Sequence, residues 1–475
     1  MEIKMVINIG CRREPLWDYT LVDKEKTTAT LSVNHPERRG SIFKADEYWE
    51  GGGGTYLCVV KDDGKYRFYY DGNGRAPCNP YTGHLNENSG VVCYAESEDG
   101  IHIRRDNLGI YGDNNIILKD PMEPRCGFMV FRDENPDCPP EERYKGITRY
   151  ERGNRGNFAE CGALITLVSG DGIHFTEKGV TIDERGKFDS ANVAFFDSED
   201  GIYKIIHRDF EDGIRALRLR TSTDFKSWDD RGFFKYDDGE TFQMYTNNVQ
   251  KYSRAPHVYI GLPVRYVQRG DWTENYSQLP SPEYRRGKMY KPYFTRCGLA
   301  VTDCLFMTSR DGVNWHRFDE AFADAGYEAS DNWIYGDAYF GYGMIDGDGE
   351  HYLYTFEKEN HVANHIVLHA IRFDGFASFK APFSGALVET RPFIFEGDSL
   401  SINFRTSAAG SIYVTLSDEC GNCVRSCEIF GNSVDRRVPF GVDISSFVGK
   451  PVTLKFEMKD AEIYSFKFEK LEKAN

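Results

Sequence analysis

The sequence predicts an all-β protein, a five-bladed β-propeller followed by a C-terminal β-sandwich. Three observations predict it. A short turn phrase recurs along the first 375 residues, strand-type patterns replace any long amphipathic helix, and the strand rhythm changes after Phe376. We therefore expect residues 1–375 to form the propeller, with blades from about residue 40, and residues 376–475 to form the sandwich.

The recurring phrase centres on an aspartate in a tight turn. The clear copies are SEDGIHI, SGDGIHF, STDFKSW and SRDGVNW, and RFDGFASF is a degenerate fifth copy. Asp-Gly is a strong signal for a turn between two strands. We expect the aspartates of these copies in equivalent outer hairpins: Asp99, Asp171, Asp224, Asp311 and Asp374.

Each copy closes a similar unit, made of an apolar strand, an acidic turn, an aromatic strand, a loop, an alternating strand and a short outer strand. The first unit contains TYLCVVKDDGKYRFYYDG and GVVCYAESEDG. The fourth unit carries an insertion from Gln268 to Gly298, rich in Pro, Tyr and Arg, which we expect as a surface loop. Five such units in series predict a propeller, because a single blade cannot bury both of its faces.

The tail has a different pattern. Runs such as SLSINFRTS, GSIYVTLSD and PVTLKFEMKD alternate apolar and polar residues between short turns. This alternation is typical of half-buried strands in an antiparallel sandwich.

Composition excludes several classes of protein. The net charge is −16 and no long Lys/Arg run occurs, so a nucleic-acid partner is not expected. No stretch approaches the roughly 18 apolar residues of a membrane span. The start lacks a leader pattern and the twelve cysteines are scattered, which predicts reduced thiols in the cytoplasm. The 14% of aromatic residues suits sugar stacking as well as β-sheet cores.

Several segments carry a resemblance to known proteins: KYRFYYDG, FRDENPDCPPEERYKGI, KFDSANVAFFD, YTNNVQKYSRAPHVYIGLPVRY and DISSFVGKPVTLKFEMKDAEIYSFKF. The chain resembles the five-bladed propeller glycoside hydrolases of families 32, 43, 62, 68 and 130, and most of all proteins similar to the family 32 N-terminal domain. The resemblance implies acidic catalytic residues on the first three blades. The Asn-Asp-Pro-Asn and Glu-Cys-Pro signatures of family 32 are absent, whereas Phe131-Arg132-Asp133 is similar to its Arg-Asp-Pro motif.

Glycoside hydrolysis needs two carboxyl groups, one protonated and one ionised, with environments that separate their pKa values. Residues just before each inner strand, and after each second strand, would face one common mouth. Asp189 precedes an apolar inner strand, and Glu50 lies between Trp49 and a run of four glycines. The predicted catalytic residues are Asp189, Glu50, Glu240 and, through the resemblance, Asp133.

The same register yields candidate substrate-binding residues. A charged pair after the apolar YKII run is costly unless paired or functional, which singles out Arg208 and Asp209. The full set is Trp49, Glu47, Arg208, Asp209, Tyr245, Asn247, Trp333 and Asp331. No cofactor or metal is expected.

The sequence therefore predicts a glycosidase that cleaves a glycosidic bond, furanosidic bonds included, in a small carbohydrate. Two alternatives stay open. One is a non-catalytic carbohydrate-binding protein. The other is a glycoside phosphorylase, for which Arg149, Arg152 and Arg155 would supply basic side chains. The oligomeric state is not indicated.

The cluster Cys420, Cys423 and Cys427 offers three thiols but no second CxxC, whereas a structural zinc takes four ligands. We expect the Gly-Asn between the first two cysteines to form a hairpin turn, and the fold to need no zinc there. Metal analysis after dialysis against a chelator, followed by thermal unfolding, checks this. Stoichiometric zinc whose removal sharply lowers the Tm would contradict it.

Overall fold

The structure is a computed structural model of the chain. It describes residues 6–50, 56–72, 91–119, 127–150, 163–182, 187–237, 239–290, 295–359 and 363–470. Strands dominate this part of the chain, and the prediction of an all-β protein is confirmed. The α-helices in the described residues are three short ones, α1 (Glu274–Gln278), α2 (Pro282–Gly287) and α3 (Thr295–Leu299). They lie in the insertion that we expected as a loop.

The strands of the first half are, in chain order, β1 (Ile7–Gly10), β2 (Arg13–Pro15), β3 (Thr30–Val33), β4 (Glu37–Ala45), β5 (Leu57–Asp62), β6 (Lys65–Gly72), β7 (Val91–Ser97), β8 (Ile116–Lys119), β9 (Met129–Arg132), β10 (Tyr144–Tyr150), β11 (Ala163–Ser169), β12 (Thr176–Ile182), β13 (Val193–Asp197), β14 (Ile202–Glu211), β15 (Ile214–Ser222) and β16 (Asp229–Phe233).

The second half continues with β17 (Lys235–Tyr236), β18 (Gln243–Met244), β19 (Gln250–Tyr252), β20 (Ala255–Gly261), β21 (Val264–Gln268), β22 (Ala300–Cys304), β23 (Met307–Ser309), β24 (Asn314–Arg317), β25 (Ile345–Asp346), β26 (Glu350–Glu359), β27 (Ala363–Arg372), β28 (Ala377–Ala381), β29 (Ala386–Glu389), β30 (Phe393–Phe395), β31 (Ser399–Asp418), β32 (Cys423–Arg425), β33 (Asn432–Arg437) and β34 (Val452–Glu469).

The chain forms two compact units. The large unit contains residues 36–251 and 257–371, and the small unit contains residues 1–35, 252–256 and 372–475. We expected residues 1–35 to belong to the first domain. They belong to the small unit because β1 pairs with β30, β2 with β34, and β3 with β28.

The large unit is a series of sheets whose strand pairs are antiparallel, apart from the parallel pair β17–β24. Sheet I is β5-β6-β7-β8, sheet II is β9-β10-β11-β12, and sheet III is β13-β14-β15-β16. The next segment forms a three-stranded sheet IVa (β18-β21-β22) and a five-stranded sheet IVb (β17-β24-β23-β20-β19). Sheet V is β25-β26-β27-β4. The four-stranded order predicted from the sequence is thus present in sheets I, II and III.

Sheet V takes its last strand from the start of the unit. β4 pairs with β27 in antiparallel register from Asn364↔Ala45 to Ala370↔Glu37. The short strand expected after the fifth turn phrase is β28, and it pairs with β3 and β34 in the small unit. The edge of β27 is already occupied by β4, so β28 cannot extend sheet V.

Four of the five turn aspartates adopt one common geometry. In the first copy, Ser97 Oγ donates to Asp99 Oδ1 at 3.0 Å, and the backbone N–H groups of Ile101 and His102 donate to the same oxygen at 2.8 Å. The same bonds recur at Asp171, Asp224 and Asp311. The third copy holds Phe225 at φ +58°, where the other three have glycine.

Asp374 of the fifth copy departs from this geometry. Its side chain has 0% exposure and carries ion pairs with Arg13 and Arg254, each at 3.1 Å. The Tyr252 hydroxyl also donates to it at 2.5 Å. The prediction of five equivalent hairpins is therefore wrong for this copy, because its aspartate is the buried centre of a charge cluster in the small unit.

The first strands of successive sheets, with the segments leading into them, lie side by side. Cys58 Sγ donates to Val130 O at 2.9 Å between sheets I and II, and β9 lies against β13 of sheet III. Asn247, next to sheet IVa, donates to Ala191 O at 2.9 Å, and Asn248 donates to Phe340 O ahead of sheet V. The order returns to sheet I through Val59 N and Tyr342 O, 2.7 Å apart.

A repeated cluster marks the far end of the first strands, which we call the turn end. An aspartate that ends or follows the first strand meets a cation on the second strand and a tyrosine on the second strand of the next sheet. The three clusters are Asp62–Arg67–Tyr144, Asp133–Lys145–Tyr203 and Asp197–Lys204–Tyr259. Each satisfies a buried charge while joining two neighbouring sheets.

The small unit is built on two long strands. β31 pairs along most of its length with β34, with register shifts near their middle. β28, β29 and β30 also pair with β34, and β32 and β33 pair with β31. Alternate apolar residues of both long strands form its core, including Phe404, Val414, Phe456 and Phe466. Gly421 and Asn422 lie in the turn between β31 and β32, which confirms the expected hairpin.

We expect Asp197→Asn to destabilise the large unit by about 3 kcal/mol, because it removes the buried charge opposite Lys204. Burial raises the pKa of Asp197, but hydrogen bonds from Lys204 and Tyr259 outweigh it and lower the pKa to about 2. Asp200→Asn is the matched control, since Asp200 also contacts Lys204 but is half exposed, and should cost less than about 1 kcal/mol. Urea denaturation measures both, and equal losses would show that burial of the pair does not matter.

Candidate functional site

The candidate site lies where the first strands begin and the second strands end, which we call the mouth end. Asp189 precedes β13, and Arg208 lies near the end of β14, the antiparallel neighbour of β13. The Arg208 guanidinium forms an ion pair with the Asp189 carboxylate. Arg208 is 3% exposed, whereas the Asp189 side chain is 38% exposed. The structure thus brings together two predicted residues, with the carboxylate facing solvent and its cation behind it.

Asp71 is a second carboxyl group at this end, and it was not among the predicted site residues. It is the penultimate residue of β6, and burial raises its pKa to about 7. Its Oδ2 accepts a hydrogen bond from Gly127 N at 3.2 Å, and its own N–H donates to Tyr56 O at 3.2 Å. The sequence did offer a signal, because Asp71 is the charged residue near the end of KYRFYYDG. We expected residues after each second strand to face the common mouth, and Asp71 lies at the end of such a strand.

Asp71 and Asp189 belong to one neighbourhood. Gly127, which binds Asp71, is so close to the segment after Asp189 that a β-carbon on it would lie 3.1 Å from Ser190 O. The same β-carbon would lie 3.5 Å from the Tyr56 ring. Tyr56 is also near enough to Arg208 to interact electrostatically with its guanidinium group. A buried, protonatable acid and a partly exposed, ion-paired carboxylate are therefore linked through Gly127 and Ser190.

Tyr245 lies under Arg208, with the guanidinium carbon 4.9 Å from the ring centroid. Its hydroxyl accepts a hydrogen bond from Tyr335 at 2.5 Å. Tyr266 and Tyr339 pack around it, with ring centroids 6.2 and 6.0 Å away. Only Tyr245 of this aromatic group was predicted, because the other tyrosines come from distant segments.

Asn247 is placed as a structural residue. It is buried, and its Nδ2 donates to Ala191 O at 2.9 Å and to Ile206 O at 3.4 Å. Its Oδ1 accepts from Val249 N at 3.1 Å. These bonds hold the segment before β19 against sheet III, so Asn247 supports the mouth without an amide group directed at a ligand.

Glu50 lies in a closed pocket of its own. It has 0% exposure, accepts from the Tyr70 hydroxyl at 2.5 Å and pairs with Arg105 at 2.7 Å. Burial raises the pKa of Glu50, opposed by the hydrogen bond from Tyr70 and the charge of Arg105. Tyr70 and Asp71 are consecutive on β6 and so point to opposite faces of the sheet. The structure does not bring Glu50 to the face that carries Asp71.

The two residues predicted beside Glu50 share its surroundings. Trp49 Nε1 donates to Asn115 Oδ1 at 2.7 Å. Glu47 is exposed and lies 3.7 Å from Arg105. The run of four glycines after Glu50 lies outside the described residues, as do Arg152 and Arg155.

Asp133 lies at the turn end, away from Asp189. It follows β9, whereas Asp189 precedes β13, and its carboxylate is bound by Lys145 and by the Tyr203 hydroxyl at 2.8 Å. The equivalent clusters in sheets I and III explain its charge as structural. The structure therefore does not place Asp133 with the other predicted acids.

The remaining predicted residues are dispersed. Asp209 alternates with Arg208 on β14 and pairs with Arg218 at 3.1 Å on the other face. Glu240 is exposed, and its carbonyl oxygen accepts from Arg317 at 2.6 Å. Trp333 donates to Gly326 O at 2.8 Å and packs with the helices of the insertion, and Asp331 lies two residues before it.

Within the described part of the chain, no group of three His, Cys, Asp or Glu side chains could hold a metal ion. The cysteines described there are all free thiols. None of the described helices is long and apolar enough to cross a membrane.

No protein-family model matches the chain, and no curated protein matches it. Among solved structures, it is similar to a putative glycoside hydrolase from Bacteroides ovatus, with 14% identity, a TM-score of 0.42, and coverage of 71% of this chain and 96% of that one. A family 32 β-fructofuranosidase of Bombyx mori has 10% identity and a TM-score of 0.41, covering 94% and 95%. A structure from work on family 130 mannoside phosphorylases and hydrolases has 11% identity and a TM-score of 0.43, covering 72% and 94%.

Families 32 and 130, which the sequence resembled, are thus among the solved structures similar to this chain. All three likenesses have TM-scores below 0.5 and low identity. We therefore take the function from the residues of the site alone.

The raised pKa of Asp71 makes a prediction about pH. Between about pH 4, where an unfolded aspartate ionises, and about pH 7, the folded chain keeps a proton that the unfolded chain has lost. Stability should therefore fall as pH rises through this window, by about 1.4 kcal/mol per pH unit from this group.

Asp71→Asn cannot ionise and lacks this contribution. Thermal unfolding of both proteins from pH 4.5 to 8 should show the wild-type Tm falling relative to the variant up to about pH 7 and running parallel above it. Parallel curves over the whole range would mean that Asp71 is not held protonated.

Proposed function

We propose that the chain is a glycoside hydrolase whose reacting carboxyl groups are Asp71 and Asp189. The observation that carries this proposal is the contrast between them. Asp71 is buried, with a pKa of about 7, while Asp189 is partly exposed and ion-paired with Arg208. Glycoside hydrolysis needs such a pair, one group that donates a proton and one that is charged.

In this mechanism Asp71 protonates the leaving oxygen of the glycosidic bond. A carboxyl with a pKa near 7 still holds its proton near neutral pH and releases it readily, which suits a general acid. Asp189 acts from the other side of the sugar, either on the anomeric carbon or on a water molecule. Arg208 is a positioning residue, because its guanidinium fixes the Asp189 carboxylate from behind.

The tyrosines beside this pair suit a sugar. Tyr245, Tyr266 and Tyr335 form a compact aromatic group next to Arg208. Aromatic rings stack on the apolar face of a saccharide, and their hydroxyl groups can bond its hydroxyls. A carbohydrate bound there would lie within reach of the Asp189 carboxylate.

We further propose that the large unit is a five-bladed β-propeller and the small unit a β-sandwich. Sheets IVa and IVb would form one blade, since β20 leads into β21 across Leu262 and Pro263 and β22 leads into β23 across Leu305 and Phe306. Leu305 N donates to Pro263 O at 2.9 Å across that break. The side-by-side order of first strands from sheet I to sheet V and back to sheet I supports a closed ring of five. In the small unit, one apolar core shared by both halves of β31 and β34 supports two packed layers.

Activity of Asp71→Asn and Asp189→Asn tests the catalytic proposal. On a panel of nitrophenyl glycosides, pyranosides and furanosides, each change should lower kcat at least about 100-fold. Asp230→Asn is the control, because Asp230 lies on outer strand β16 and pairs with Arg218 of β15. This variant should keep full activity. In the wild type, kcat/KM should fall as pH rises above about 7, as Asp71 loses its proton.

Full activity of both variants would refute the assignment of the pair. Sugar binding without turnover of any glycoside, with or without added phosphate, would favour a carbohydrate-binding protein. Turnover only in the presence of phosphate would favour a phosphorylase.

A further inference from the structure

Three arginines converge on the tyrosine group at the mouth end. The guanidinium carbon of Arg208 lies 4.9 Å from the Tyr245 ring centroid, and that of Arg215 lies 5.7 Å from it. Arg215 is also 4.7 Å from the Tyr266 ring. Arg296, from α3 of the insertion, lies 5.4 Å from the Tyr335 ring. Segments far apart in the chain thus concentrate positive charge beside Asp189.

Among the described residues, no carboxylate balances the charge of Arg215. Asp189 pairs with Arg208. The Nη1 of Arg215 donates to the neutral amide oxygen of Gln243 at 2.9 Å, and within the described residues Arg215 has no carboxylate partner. Burial and the nearby charges of Arg208 and Arg296 lower the pKa of Arg215. An arginine stays protonated even so, and like charges held together are costly unless an anion joins them.

Hydrogen-bond donors in the same group are also left over. The Nε atoms of Arg208 and Arg215 are buried and have no hydrogen-bond partner among the described residues. Buried donors in folded proteins are normally satisfied, so each such atom calls for an explanation. A ligand with several acceptor oxygens would satisfy them.

Stacking on tyrosine alone does not account for this arrangement. Cation–π contacts explain where the guanidinium planes lie, but they leave the in-plane N–H groups unbonded. At the turn end, the buried cations Arg67, Lys145 and Lys204 also lie against tyrosine rings, yet each has its own aspartate. The mouth end differs by lacking that carboxylate at Arg215.

We propose that the substrate is an anionic sugar, whose carboxylate or ester oxyanion is bound by Arg215 together with Arg208 and Arg296. Arg208 and Arg215 contact the Tyr245 ring and Arg296 contacts the Tyr335 ring, so an anion bound by these arginines would lie at the same tyrosine group as the sugar. Guanidinium groups bind carboxylates through paired charge-assisted hydrogen bonds. The inference rests on the proposed function, since it names the substrate class of the same site.

Equilibrium binding tests the proposal without requiring turnover. Titration calorimetry of the full chain with D-glucuronate and D-galacturonate should give binding that weakens as NaCl is raised, and D-glucose and D-galactose should bind at least about tenfold more weakly. Arg215→Met keeps the apolar stem and removes the charge. It should cost sugar-acid binding about tenfold or more while leaving neutral-sugar binding unchanged.

Arg218→Met is the matched control. Arg218 is on the same strand as Arg215, but it pairs with Asp209 and Asp230. It should leave sugar-acid binding at the wild-type value. The Tm of both variants is measured first, and Arg215→Lys, which retains a charge, should recover part of the binding if the Met variant unfolds or binds poorly.

Several outcomes would overturn the inference. Equal binding of neutral and acidic sugars would, and so would unchanged sugar-acid binding in Arg215→Met. Inorganic phosphate is a third probe, and its binding at Arg215 without sugar-acid binding would assign the arginines to a free anion. Hydrolysis of neutral glycosides with no preference for glucuronides would sink this inference but keep the proposed function. Sugar-acid binding at Arg215 with no glycoside turned over would refute the proposed hydrolase function but keep the anion-binding site.

Discussion

Each buried carboxylate at the turn end of sheets I, II and III is neutralised by a cation from its own sheet and bonded by a tyrosine from the next. Asp62, Asp133 and Asp197 could not otherwise remain at the ends of almost wholly apolar first strands, because an unpaired charge there would cost several kcal/mol. The tyrosine makes the interaction a link between sheets. These contacts hold neighbouring sheets together at the turn end, and the mouth-end residues lie at the opposite ends of the same strands.

The mouth end uses the same residue types with a different balance. Among the described residues, Asp71 is buried without a cation beside it, which raises its pKa, while Arg215 is half-buried without a carboxylate partner. At the turn end, acid and base are paired within each cluster. At the mouth end Arg208 still pairs with Asp189, but Asp71 and Arg215 have no such partner among the described residues. The paired groups at the turn end stabilise the sheets, and the groups without such partners at the mouth end are those that we propose to act on a substrate.

Local patterns in the sequence were enough for the strands and for four of the turns. Asp-Gly phrases and alternation act over a few residues, so they predict hairpins such as β5–β6 without any knowledge of the fold. Asp374 shows the limit of such local patterns. Its Asp-Gly dipeptide matches most of the other copies, but its carboxylate is buried and paired with Arg13 and Arg254, which are 361 and 120 residues away in the sequence. The pairing of β4 with β27 was also invisible, since edge strands carry no label for their partner.

In the candidate site, too, residues fixed by local patterns could be predicted, whereas those that depend on long-range contacts could not. Asp189 and Arg208 could be predicted because each follows from its position next to an apolar strand. Asp133 matches a catalytic motif, yet its carboxylate binds a tyrosine of the neighbouring sheet. Glu50 lies at an expected position, yet it is buried against Arg105 on the other face of sheet I. Asp71, Arg215 and Arg296 acquire their character from burial and from one another, which are properties of the assembled sheets rather than of any segment.

The closure of sheet V by β4 has a consequence for how the chain is made. Residues 37–45 leave the ribosome long before their partner strand β27, which ends at Arg372. More than three hundred residues are therefore synthesised before β4 can pair. During that time, β4 is an unpaired strand edge, a ready template for pairing with another chain. Pairing between such distant strands also makes folding slow. Yield in the cell should therefore depend on how well nascent chains are kept apart, even where the finished protein is stable.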